Sequence, residues 1–119
     1  MVKIVIGGQM GKPDIKKDLE KLMNSKEVEI EIKSDLDAAM ALKENKADYY
    51  IGACETGAGG ALAMATALLG SDKAITVATQ SKVLSEEQIK QEIDNGKVAF
   101  GFTINTKDTI LPILAKYLA

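Results

Sequence analysis

The stretch DYYIGACETGAGGALAMATALLG, from Asp48 to Gly70, holds a tyrosine-led apolar strand, the only cysteine, five glycines and a charge-free helical run. After Glu55 no ionisable side chain appears until Asp72. So little charge implies a segment that crosses the interior, with its glycine loop exposed at one end. Strand, glycine loop and helix in succession form the repeating unit of a parallel α/β sheet, because a parallel neighbour is reached only through a crossover.

Working outward, the same alternation repeats on both sides. Lys3 to Ile6 is a short apolar run ended by Gly7-Gly8, as a buried strand entering a tight turn would read. Pro13 suits the first helical position, and Ile15, Leu19, Leu22 and Met23 then share one face. Val28, Ile30 and Ile32 alternate with charged residues, which predicts an edge strand with one wet face. Ser34 or Asp35 caps a second helix ending near Asn45. Tyr49 to Ile51 is the third strand, the loop Ala53 to Gly60 follows, and a helix runs from about Gly60 to Leu69 with Gly70 as its stop.

Ala74 to Ala78 reads as strand four. Ser85 and Gln88 stand at capping-box spacing before a fourth helix. Lys97 to Phe102 reads as strand five, and a last helix starts near Asp108, which would leave Pro112 in its first turn. The expected architecture is a single α/β domain over residues 1–119: a three-layer, Rossmann-like or flavodoxin-like parallel five-stranded sheet of order 2-1-3-4-5.

Composition narrows the chemistry. All fifteen basic residues are lysines, so no guanidinium fork is available to grip phosphate, and there is no histidine to serve as an imidazole base or zinc ligand. A net charge of -2, with no tryptophan, gives no basic stripe with stacking platforms, so nucleic acid is not an expected partner. No apolar run approaches the ~20 residues that span a bilayer, and MVKIVIGG does not read as a signal peptide. The expected location is cytoplasmic, with no membrane partner, no metal and no cofactor.

In a 2-1-3-4-5 sheet, winding reverses between strands one and three, and a ligand crevice opens at their carboxyl ends. The loops there hold Gly7, Gly8, Gln9 and Gly11 on one side and Cys54, Glu55, Thr56, Gly57, Ala58, Gly59 and Gly60 on the other. Glycines at a strand-to-helix turn let backbone amides point at a ligand beside a partially positive helix start, which favours an anion. The plainer reading is that these glycines only let the chain turn and pack closely. Neighbouring loops add hydroxyl and amide groups, among them Thr79, Gln80, Thr103 and Asn105. Cys54 and Glu55 are the candidate catalytic pair, although a carboxylate beside a thiol opposes thiolate formation. An inert buried thiol is the ordinary alternative for a lone cysteine. The apolar helix that follows reads as a buried element or a face for a second copy, so a homo-oligomer is expected.

The opening KIVIGGQMGKP, the central DYYIGACETGAGGALAMA and the ending DTILPILAKYL resemble the YhfU-type bacterial family, a small cytoplasmic domain of unknown function. That resemblance implies the fold and a setting near sugar-phosphate and pyridoxal-dependent enzymes, but no reaction. The cysteine loop is also similar to that of ribose-5-phosphate isomerase B type enzymes, in which the cysteine is a base and glycine amides stabilise an enediolate. Cys54, Thr56, Gly57 and Gly59 match that loop, whereas Glu55 departs from it and the family's histidines and arginines are absent. Cys54-Glu55-Thr56-Gly57 looks loosely like a phosphocysteine carrier loop. The expected function is binding of a small anionic metabolite, a sugar phosphate or carboxylate, at the strand-one and strand-three loops, with catalysis left open. The alternative is a non-enzymatic oligomeric partner or phosphocysteine carrier of a sugar or amino-sugar pathway.

Overall fold

The computed structural model describes residues 1–55 and 60–118. In chain order the elements are β1 (Val2–Gly8), α1 (Lys12–Leu22), β2 (Val28–Ile32), α2 (Asp35–Lys43), β3 (Tyr49–Cys54), α3 (Ala63–Leu69), β4 (Ala74–Ala78), α4 (Glu86–Asp94), β5 (Ala99–Thr103), a 3-10 turn (Ile104–Thr106) and α5 (Lys107–Tyr117). All strand pairs are parallel, and the sheet order is β2-β1-β3-β5-β4.

The expected α/β class and the position of β2 at an edge both hold, but the last two strands are exchanged. β5 lies inside the sheet and β4 at the far edge. Burial gives the reason. Every residue of β5 is buried, including Phe100 and Phe102, whereas Ala74, Ile75 and Thr76 of β4 are only half-buried. Two adjacent aromatic payloads gain most where sheet and helices cover them on all sides.

Right-handed crossovers then fix the layers. Steps that move one way across the sheet carry α1 and α4 over one face, where α5 joins them. Steps the other way carry α2 and α3 over the opposite face. The cores agree with this. Ile4, Ile6, Ile51, Phe100 and Phe102 pack with Ile15, Leu19, Ile89, Leu111 and Leu114. On the other face Val5, Tyr50 and Ala99 meet Ala38, Ala39, Leu62 and Ala65.

Several local signals read from the sequence form as expected. Ser34 accepts a hydrogen bond from the Asp37 amide at 3.1 Å, and Ser85 with Gln88 closes a capping box. Boundaries move elsewhere. β1 includes Gly7 and Gly8, β3 continues through Ala53 and Cys54, and α3 begins only at Ala63. Pro112 falls inside α5 rather than in its first turn, on the exposed side, where water can take the carbonyl its missing amide leaves unbonded. Among the described residues no helix is long and apolar enough to cross a membrane.

Candidate functional site

The carboxyl ends of β1 and β3 lie side by side in parallel register, with Gly7 opposite Gly52 and Gly8 opposite Ala53. Small residues there make room for one large one. A Cβ on Gly7 would stand 2.5 Å from the Tyr50 ring, and one on Gly52 would stand 3.0 Å from it. Tyr50 is fully buried on the α2/α3 face. Its hydroxyl reaches the Asp35 carboxylate and the Ala61 carbonyl, the latter at 2.7 Å. The same carboxylate oxygen accepts the Gly8 amide at 3.2 Å. β1, β3, the start of α2 and the segment entering α3 are thus tied through one phenol. Burial, reinforced by the Asp35 hydrogen bond, holds that phenol far above its ordinary pKa.

Gly8 adopts a left-handed φ of 76° and passes so near Ala53 that a side chain would meet the Ala53 amide at 2.7 Å. The chain turns here because Gln9 and Met10 both donate their amides to the Ala53 carbonyl, at 2.9 and 3.3 Å. Gly11, also left-handed, caps α1 without a side-chain hydrogen bond and lies against Ile104 of the turn after β5. The amides of Gly8, Gln9 and Met10 are therefore engaged within the protein. What this loop offers outward is the exposed Gln9 side chain, whose amide group would sit about 3.0 Å from a Cβ on Gly60.

That contact joins the two glycine loops. Thr56, Gly57, Ala58 and Gly59 lie outside the described residues. Cys54 is 3% exposed at the end of β3, in register with Thr103 of β5, and Glu55 beyond it is exposed. α3 begins at Ala63, nine residues after Cys54. Gln80, exposed after β4, donates its side-chain amide to the Glu55 carbonyl at 3.3 Å. Thr79 bonds locally with Ser81 and Lys82. Asn105 is exposed on the turn after β5. Gln9 with Gly60, and Glu55 with Gln80, are thus two contacts made at this end of the sheet.

One feature was not read as site chemistry in the sequence. Asp35 read as a cap candidate, and its link to Tyr50 spans fifteen positions with no local signal. Thr103, one of the hydroxyl groups expected at the carboxyl ends of the strands, is fully buried, and its hydroxyl is the one buried side-chain polar atom without a hydrogen-bond partner among the described residues. Elsewhere a groove of about 400 Å³ at the amino ends of the strands is lined by Leu42, Lys43, Asp48, Lys73 and Val98. It lies at the opposite end of the sheet from the glycine loops. Where the two disagree, the carboxyl end is the better candidate, because the crevices where crossovers part lie there. Among the described residues no three potential ligands cluster to hold a metal ion.

Comparison with known proteins gives one consistent result. The model of a family described as "Protein of unknown function DUF2620" matches residues 2–118. Proteins named "Uncharacterized protein YhfU" from Escherichia coli K12, from E. coli O6:H1 and from Shigella flexneri are each 39% identical over 118 residues. Each alignment covers 99% of both chains. No solved structure matches the chain.

Proposed function

We propose, from the premise that this chain belongs to the DUF2620 family of proteins of unknown function, that it binds a small anionic metabolite at the carboxyl ends of β1 and β3. The observation that carries this reading is the meeting of Gln9 with Gly60 at a point where consecutive crossovers part to opposite faces. The Gln9 amide side chain there, and Gln80 from the loop after β4, can donate to phosphate or carboxylate oxygens while the protein keeps its own backbone bonds. Lys12 and Lys82 lie at the same end of the sheet and supply positive charge. A sugar phosphate fits this mixture of amides, hydroxyls and distant cations better than a bare inorganic ion.

The reading includes a cytoplasmic setting and self-association through α3. That helix carries no charge, and Ala63 and Ala67 are exposed beside half-buried Met64, Leu68 and Leu69. The test of binding is thermal. A ligand at a hundred times its Kd adds about 2.7 kcal/mol to the folded state. Phosphate and sugar phosphates at millimolar concentration should raise Tm, and Gln9→Ala with Gln80→Ala should reduce the rise. An unchanged Tm across that panel removes the proposal.

A further inference from the structure

The exchange of β4 and β5 has a topological consequence. After β3 the chain leaves over the α2/α3 face, whereas after both of its neighbours, β1 and β5, it leaves over the other face. Chains part on either side of β3, so a second crevice opens between β3 and β5. The last paired residues on its floor are Cys54 and Thr103. Alternation along each strand turns both side chains to the face that carries Tyr50 and Leu62.

Thr103 is fully buried, and its hydroxyl has no hydrogen-bond partner among the described residues. Leaving such a group unmade is costly, and valine would fill the same space in a strand without that cost. Its carbonyl, by contrast, is satisfied by the Thr106 hydroxyl at 2.7 Å. Above this floor the Gln80 amide meets the Glu55 carbonyl at 3.3 Å, and because β5 lies between β3 and β4 this bond spans the end of β5. Both of its residues are exposed, so the bond can open toward water.

We propose that the β3/β5 crevice takes an uncharged hydroxyl or carbonyl oxygen of the bound metabolite, held by the Thr103 hydroxyl beside Cys54. This rests on the anion reading above, and it assigns the ligand two ends. The charged end lies at Gln9 and Gly60, and the neutral oxygenated end lies over β5. No cation faces Thr103 in the strands that flank it, so a neutral oxygen is the matching chemistry there.

The experiment compares inorganic phosphate with glycerol 3-phosphate and ribose 5-phosphate by calorimetric titration and thermal melting, using wild type, Thr103→Val and Thr103→Ser. Wild type should bind at least one of the two esters about tenfold more tightly than phosphate, the worth of one well-placed hydrogen bond. Thr103→Val should lose that advantage while keeping the phosphate affinity, and Thr103→Ser should retain it. Without ligand, Thr103→Val should melt at or above the wild-type temperature. A clear drop there would mean that the hydroxyl is already bonded in the resting protein, by water, and would overturn the proposal. Equal ester and phosphate binding in wild type, or an ester advantage that survives in Thr103→Val, would also overturn it while leaving the anion site standing. If neither phosphate nor ester binds, both proposals fall.

Discussion

The Tyr50 hydroxyl and the Ala61 carbonyl oxygen are 2.7 Å apart, and that bond anchors the far end of the glycine loop to the strand that begins it. Because the same hydroxyl reaches Asp35, which holds the Gly8 amide, both loops of the candidate site hang on one phenol. The fold's rigidity at the site is thus a side-chain matter as much as a backbone one.

Tyr50→Phe should destabilise the protein by about 1–3 kcal/mol, because it leaves buried acceptors without their donor. At roughly 4 °C of melting temperature per kcal/mol for a chain of this size, the loss is readily measured by calorimetry. A variant as stable as wild type would mean that the clasp carries no net stability.

The same phenol sets an alkaline limit. Its folded-state pKa is raised from the ordinary 10.0, first by burial and then by Asp35. A raised value contributes stability that is fully present below about pH 10 and is lost as pH climbs above it. Wild type should lose stability above about pH 10 more steeply than Tyr50→Phe in denaturant titrations. Lys107, Lys116 and Tyr117 are also raised, but they titrate alike in both proteins, so the difference isolates Tyr50.

Gly101 makes room for Leu62. An added Cβ would stand 2.6 Å from the leucine Cγ, so Gly101→Ala should cost about 1–3 kcal/mol by overpacking. Leu62→Ala removes the obstacle, and the double variant should therefore be more stable than the sum of the two single losses predicts. Strict additivity in urea unfolding would contradict the contact.

Ser85→Ala removes the cap of α4, far from the glycine loops, and should cost about 1 kcal/mol. Any ligand-induced rise in melting temperature should survive it unchanged. A lost response would mean that ligand response tracks global stability rather than the site.

Much of the fold was legible because its signals are local. The alternation of Val28, Ile30 and Ile32 with charge marks an edge strand, and Ser85 with Gln88 marks a helix start. The order of β4 and β5 was not legible, since AITVA and AFGFT are both apolar, and which one lies inside depends on packing partners far away in sequence. The glycine positions pointed to the carboxyl ends of two strands that do lie side by side. Their reasons for being glycine are largely non-local: Gly7 and Gly52 yield to the Tyr50 ring, and Gly8 yields to Ala53. A sequence displays a run of glycines, but not the ring that lies across them. The Thr103 hydroxyl was legible as a polar group at the carboxyl end of strand five, but its burial and its lack of a partner among the described residues depend on packing that no local signal displays.

The most direct test of the site is a crystal grown or soaked in inorganic phosphate. Tetrahedral density against the Gln9 side chain and Gly60, between the carboxyl ends of β1 and β3, is the predicted result. At a phosphate concentration that raises the melting temperature, density seated instead at Lys43 and Lys73, on the opposite end of the sheet, would contradict it.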